Sequence, residues 1–346
     1  MTEKSLTRHF RFERRQILYL LVLGVAVFLL LPHFMGFQRV VQLLLVSHPI
    51  YFALALLAEI LRYFVSAAST IVLAQLFRVA VPMVPMTEAF FAGGAANRVF
   101  STGGAPGMLV RFDFLTRKGV HGGGVAVIFL IEDIIGGVIG AFVLLFGILT
   151  VTSALPKDTT LVDVSLVAGL TSPLLLLMVW LIARRRALVE QGVHAAARAI
   201  NRPLEWFAGH PVLTPGNVQQ AVDDFYTGMS LARHAPLTVA VSFLLNVVRY
   251  LGGALALYFS FLAMQWTIAP GVLIVIFTAV SLMSSVSAVP GEVAIMGSSM
   301  ALLSFAFGVP ADVALLALLL SRAIAFWLPI PVGALAFWHL RRTHLL

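Results

Sequence analysis

Seven ionisable residues lie within, or at breaks in, apolar stretches that are long enough to cross a lipid bilayer. They are Glu59, Arg62, Glu132, Asp133, Arg249, Glu292 and Arg322. A charged side chain at the bilayer centre costs about 3 kcal/mol or more unless a partner or water compensates it. Glu59 and Arg62 are three residues apart on one helix face, so they can satisfy each other or belong to a site.

The other charges favour a functional site over simple pairing. Adjacent Glu132 and Asp133 point to different sides of a helix, so one partner cannot easily neutralise both. A pair between Asp133 and Arg249, or between Asp133 and Arg322, would cross between the two halves of the chain. Such a pair would be structural and functional at once.

A glycine-rich segment carries a second group of candidates. Asn97, Arg98 and Arg111 lie around the sequence GGAPG at 103–107. Glycine lets backbone N–H groups approach a ligand, and the N-terminus of a half-helix favours an anion. A phosphate group would fit this segment, whereas Arg117 and Lys118 are expected to be ordinary charges at the membrane surface.

The composition indicates an all-α polytopic membrane protein. Of 346 residues, 60% are hydrophobic and 11% are charged, and several apolar runs reach the roughly 20 residues of a spanning helix. Spans are predicted at about 17–35, 50–77, 122–150, 164–183, 237–264 and 312–338. The polar stretch at 184–236 predicts two amphipathic helices, broken around 209–216, that connect two halves at the inner membrane face.

Basic residues predict the orientation of these spans. Segments 1–16, 78–118, 184–236 and 339–346 hold 18 of the 23 lysines and arginines. By the positive-inside rule, both termini lie in the cytoplasm. The same distribution explains the net charge of +8 without nucleic acid as a partner.

Two segments fit no simple span, and they predict re-entrant hairpins of two half-helices. Segment 86–118 is too polar and glycine-rich to face lipid, and segment 271–307 is broken at Pro290-Gly291. Proline removes a backbone donor, and irregular backbone at membrane depth must be buried in protein or line a wet cavity.

The halves resemble each other in order and spacing. LRYF at 61–64 matches VRYL at 248–251, and Pro106-Gly107 matches Pro290-Gly291. The distance from the arginine to the proline is 44 residues in one half and 41 in the other. Residues 50–150 and 237–338 are therefore predicted to be inverted repeats within a single membrane domain, with Arg249 as the second copy of Arg62 and a shared site at their interface.

Motifs of soluble enzyme chemistry are absent from the sequence. There is no cysteine, no P-loop, no H-E-x-x-H and no dinucleotide fingerprint, and the histidines are scattered. We expect no metal, no cofactor and no catalytic residues.

The sequence also resembles a known family. Asn97-Arg98, Gly103-Gly104, Gly107, Arg111, LTRKGV at 115–120 and the acidic pair of the next helix are similar to the flippase-like membrane domain of lysylphosphatidylglycerol synthases, as are AVPGEVAIMG at 288–297 and FGVPADVALLALLLSR at 307–322. The resemblance covers about 50–340. It implies a bacterial or archaeal inner-membrane protein that binds, and in some members translocates, lipids with charged or glycosylated headgroups. With the sequence ending at 346, an aminoacyl-transferase domain and synthase activity are not expected.

Two departures from the family pattern alter charge at the expected site. Where the family commonly has Pro-Gly-Gly-x-Gly-x-x-Glu, this sequence has Pro290-Gly291-Glu292. The family helix after the first hairpin commonly carries Glu-Arg followed by Asp, and here it carries Glu132-Asp133 without the arginine. The identity of the lipid is therefore not carried over.

The combined expectation is a lipid transporter of the flippase type whose substrate is an anionic phospholipid or a polyprenyl-linked lipid. Arg62, Arg98, Arg111, Arg249 and Arg322 would hold the headgroup, with Asn97, Pro290 and Gly291 beside them. Glu132, Asp133 and Glu292 would balance these charges or couple to protons. One alternative is a non-transporting accessory protein of envelope lipid or glycolipid synthesis, which would bind lipid or an enzyme partner through 184–236. A homo-oligomer is also possible. Another is a membrane enzyme that uses Glu132 and Asp133 as acid and base.

Overall fold

The computed structural model describes residues 47–100, 104–152, 184–208, 215–274, 276–278 and 308–346. Nine helices of nine or more residues lie within these ranges, and no strand does. They are α1 (Pro49–Ala74), α2 (Met83–Phe100), α3 (Ala105–Arg117), α4 (Gly122–Thr152), α5 (Arg186–Ala208), α6 (Pro215–His234), α7 (Pro236–Ala263), α8 (Ala311–Trp327) and α9 (Pro329–Arg342). A short 3₁₀ turn, Gln75–Phe77, extends α1.

Four described segments are long and apolar enough to cross a membrane. They are Pro49–Phe77, Gly122–Val143, Pro236–Ala263 and Leu316–Arg342. These segments correspond to the predicted spans at 50–77, 122–150, 237–264 and 312–338. The last one consists of α8 and α9, because Pro329 at the start of α9 lacks a backbone N–H and ends the preceding helix. The predicted spans at 17–35 and 164–183 lie outside the described residues, so the total of six stays a prediction.

The glycine-rich segment forms two helices, α2 and α3, as the break in its sequence predicts. A side chain on Gly107 would lie 2.7 Å from the carbonyl oxygen of Gly93, so glycine is required where the two helices meet. The Gly107 N–H donates to Asn97 Oδ1 at 2.6 Å. This amide is therefore used within the protein. The re-entrant position of the two helices in a membrane remains a prediction, and most of the second predicted hairpin lies outside the described residues.

The most extensive helix pair is α1 with α7, one helix from each predicted repeat. A buried polar contact joins them. Ser69 and Ser242 share a hydrogen bond of 2.9 Å, and Asn246 Nδ2 donates to Ser69 Oγ at 2.8 Å. Buried polar groups of this kind fix the position of one apolar helix against another. The inverted relation of the two repeats stays a prediction.

The amphipathic helices α5 and α6 confirm the helices predicted for 184–236, and α6 packs on α4. A side chain on Gly123 would lie 2.5 Å from the Ala221 carbonyl oxygen, so α4 must have glycine where α6 crosses it. Arg186 at the start of α5 donates to Glu190 at 2.7 Å and also binds Asp223 of α6. The Arg186 guanidinium, and a hydrogen bond from Gln219, hold the pKa of Glu190 below its usual range.

Candidate functional site

Six charged side chains from four helices come together where α1, α3, α4 and α7 meet. They are Glu59 and Arg62 on α1, Arg111 on α3, Glu132 and Asp133 on α4, and Arg249 on α7. Three are basic and three are acidic, so the cluster is formally neutral when all six are ionised. We refer to these six residues as the charge cluster.

Arg111 and Glu132 form the most enclosed pair of the charge cluster. Arg111 Nη1 lies 3.1 Å from Glu132 Oε2, and the two side chains are 16% and 12% exposed. The guanidinium also lies between two aromatic rings, 4.6 Å from the centroid of Phe90 and 4.5 Å from that of Phe129. Both rings offer it a cation–π contact. Contacts within the protein thus satisfy the charge of Arg111.

Glu132 connects this pair to α1. Its second carboxylate oxygen, Oε1, accepts a hydrogen bond from the Thr70 hydroxyl. The contacts of this ion pair involve four helices: Arg111 is on α3, Phe90 on α2, Glu132 on α4 and Thr70 on α1. One ion pair therefore holds the four helices in register. This gives Arg111 and Glu132 a role in helix packing, and the ligand contact expected for Arg111 stays a prediction.

Glu59 and Arg62 form the pair that their spacing allows. Arg62 Nη2 donates to Glu59 Oε1 at 2.6 Å, and the carboxylate side chain is 4% exposed while the arginine is 33% exposed. Arg62 also faces α7, where a side chain on Gly253 would lie 3.6 Å from its Nη1. A guanidinium that is only partly covered keeps N–H donors for another group.

Arg249 and Asp133 are the remaining charges of the cluster, and they do not bond to each other. No ion pair within 4 Å joins Arg249 to a carboxylate among the described residues, so the pair with Asp133 that the sequence allowed is not a direct contact in this structure. The two lie near enough to attract each other, and Arg62 and Arg111 lie near enough to repel Arg249. Asp133 is exposed.

A glycine on α4 provides space beside Arg249. A side chain on Gly136 would lie 3.4 Å from Arg249 Nη2. Gly136 is one helical turn beyond Glu132 and Asp133, so its direction on α4 falls between the directions of the two acids. The guanidinium therefore packs beside the bare backbone of Gly136, with an acidic group nearby. Sequence reasoning missed this glycine, whose signal was a Gly136-Gly137 pair in a spanning helix one turn after the acids.

Asn97 and Arg98 lie outside the charge cluster. Asn97 binds the Gly107 N–H, and Arg98 donates to the Gly94 carbonyl at 2.8 Å and to the Ala325 carbonyl of α8. These contacts fasten α2 to α3 and α8, and the ligand contacts expected for both residues stay predictions.

The other predicted site residues have different outcomes. Arg322 lies on α8, which contacts α1 and α7. Pro290, Gly291 and Glu292 lie outside the described residues. Groups of three or more histidine, aspartate or glutamate side chains that could hold a metal do not occur in the described ranges.

A comparison with protein families identifies the chain's relatives. The family model described as the lysylphosphatidylglycerol synthase TM region matches residues 17–333. The chain belongs to this family. No curated protein matches the sequence. The family and the four apolar helices together make this a multi-pass membrane protein tied to lipid metabolism, as the resemblance of 97–133 and 288–322 implied.

The residues that match the family model, 17–333, include all six residues of the charge cluster. The cluster combines two satisfied ion pairs with Arg249 and Asp133, which lie close to each other and form no ion pair with any other residue that the structure describes. Chemically, this arrangement can accept a group that carries both a negative charge and a hydrogen-bond donor.

Proposed function

We propose that this protein binds a lipid with an anionic or glycosylated headgroup and translocates it across the cytoplasmic membrane of a bacterial or archaeal cell. The observation that supports this most is Arg249, a cation in a spanning helix without a carboxylate within 4 Å in the part of the chain that the structure describes. A charge in that position costs free energy unless a ligand or water compensates it.

The neighbours of Arg249 define what such a ligand needs. Arg62 and Arg111 repel its guanidinium, so an incoming phosphate would relieve that repulsion and accept charge-assisted hydrogen bonds from it. A headgroup hydroxyl would donate to the exposed carboxylate of Asp133. The headgroups of phosphatidylglycerol and of glycosylated polyprenyl phosphates contain both groups.

Translocation, as opposed to binding alone, follows from where the ligand would sit. Arg62 and Arg249 come from the two predicted repeats, and α1 packs on α7. Movement of one repeat against the other would expose a shared site to alternate sides, the usual plan of transporters with inverted repeats. Arg322 and Glu292 remain candidate ligands in this proposal. Translocation makes and breaks no covalent bond, so we propose that the protein is not an enzyme.

The alternative function is an accessory protein of envelope lipid or glycolipid synthesis. The observation in its favour is the pair of amphipathic helices α5 and α6, which offers a polar surface for an enzyme partner and is fixed to α4. In this case the charge cluster would stabilise the fold without moving lipid.

The experiment that tests the proposal is headgroup translocation in proteoliposomes. Labelled phosphatidylglycerol, phosphatidylcholine and a polyprenyl-linked glycolipid are compared for the wild type, Arg249→Gln and the control Arg198→Gln. We expect movement of an anionic or glycosylated lipid by the wild type and the control, and a loss with Arg249→Gln. An absence of movement for every lipid, together with a partner that co-purifies at fixed stoichiometry, would favour the accessory function.

A further inference from the structure

A groove separate from the charge cluster lies where α6 ends and α7 begins. Its volume is about 620 Å³, it is shallow and largely open at the surface, and it runs between α4, α6 and α7. The walls are apolar and include Ile135 of α4 with Val239, Phe243 and Leu244 of α7.

The groove faces the surface that surrounds a spanning helix. Leu237 and Leu244, which lie on this side of α7, are 76% and 62% exposed, and α7 is apolar enough to cross a bilayer. Apolar side chains with this exposure on a membrane-spanning helix contact lipid. The groove therefore presents apolar side chains on the side of α7 that would face acyl chains.

A single basic side chain gives the groove its charge. Arg233, in the last turn of α6, lines the groove and is exposed, and the other lining side chains carry no charge. Arg233 precedes the start of α7 by three residues, so it lies at the end of the spanning helix, where a phospholipid has its phosphate. A basic group beside an acyl-chain groove is the charge complement of an anionic phospholipid.

We propose that this groove binds one anionic phospholipid, with an acyl chain between α4 and α7 and the phosphate on Arg233. This lipid is not the translocated one, because the groove residues and the charge cluster share no member. The inference goes beyond the proposed function and holds whether or not the protein moves lipid.

Lipid retention tests the proposal in detergent, without any transport assay. The purified chain is equilibrated with phosphatidylglycerol or with phosphatidylcholine of the same acyl chains, and bound lipids are counted by native mass spectrometry. We expect retention of phosphatidylglycerol over phosphatidylcholine. Arg233→Gln should weaken phosphatidylglycerol binding about fivefold, which corresponds to the loss of one basic residue near an anionic headgroup.

Three variants identify where the lipid sits. Ala240→Trp would fill the groove and should displace phosphatidylglycerol, while Arg198→Gln, an exposed arginine of α5, should retain it. Arg233→Gln replaces an exposed side chain and tests the site even if Ala240→Trp does not fold. Retention that falls with Arg249→Gln but not with Arg233→Gln would overturn the groove site and assign the lipid to the charge cluster.

Two further results would also contradict the proposal. Equal retention of phosphatidylglycerol and phosphatidylcholine would show that the groove does not recognise the phosphate charge. A dimer that forms without lipid and is lost with Ala240→Trp would show that a second copy of the chain covers the groove.

Discussion

Replacing Arg111 by methionine should destabilise the protein more than most single changes outside its apolar core. The variant removes the partner of Glu132 and both cation–π contacts, and it leaves a carboxylate that is only 12% exposed. The Thr70 hydroxyl would be the one hydrogen-bond donor left to it among the contacts described here.

The magnitude follows from the two kinds of contact that are lost. Removing one partner of a buried ion pair costs about 3–5 kcal/mol, because the other charge is left uncompensated. Each cation–π contact adds about 1 kcal/mol. We expect Arg111→Met to lower the free energy of unfolding by about 5 kcal/mol. The double variant Arg111→Met/Glu132→Gln should lose only about 3 kcal/mol, because it leaves no unpaired charge.

The assay is reversible unfolding in mixed micelles with increasing dodecyl sulfate, followed by circular dichroism. Arg117→Met on the same helix is the matched control. Its ion pair with Asp113 is 41% exposed on the arginine side, so its loss should cost about 0.5 kcal/mol. If Arg111→Met is as stable as the control, the Arg111–Glu132 pair does not stabilise the fold. If the double variant is less stable than Arg111→Met, an unpaired Glu132 is not the source of the loss.

Substitutions can also test the packing of α6 on α4, the buried contact between α1 and α7, and the α5–α6 contact. Gly123→Ala should displace α6 from α4 and speed hydrogen exchange in α6. The control Gly216→Ala, at a position with open space around it, should not. Equal exchange in both variants would contradict the close packing at Gly123. Asn246→Leu should cost about 1 kcal/mol in the same unfolding assay, and no loss would mean that its hydrogen bonds are dispensable. The pKa of Glu190 is lowered, so its contribution to the α5–α6 contact is present above the ordinary glutamate pKa and is lost as pH falls through the lowered value. Protection of α5 from hydrogen exchange should therefore fall in acid for the wild type and be low at every pH for Arg186→Gln; a pH-independent wild type would contradict this.

Local spacing predicted the features that depend on a single helix. The Glu59–Arg62 pair follows from positions three residues apart, and the break between α2 and α3 follows from glycine and proline at 103–107. The sequence also predicted the positions of the four described spans, since bilayer thickness fixes the length of the apolar stretch in a spanning helix.

The contacts between helices could not be predicted in the same way. Arg111 was expected to bind a ligand because it follows a glycine-rich break, but its partner Glu132 is 21 residues away on another helix. Which arginine meets which acid depends on helix rotation and crossing, and one sequence does not determine either. The same limit explains why Asn97 and Arg98 bind backbone groups, and why Asp133 and Arg249 approach without pairing.

Headgroup translocation by Arg249→Lys and Arg249→Gln, measured beside the wild type in proteoliposomes, tests whether Arg249 binds the headgroup that is moved. Both variants must first show the unfolding profile of the wild type. If Arg249 binds the phosphate, lysine should keep part of the initial rate and glutamine should lower it about tenfold or more, the loss of one charged hydrogen bond. Equal rates for the wild type and a folded Arg249→Gln would show that the lipid does not pass through the charge cluster.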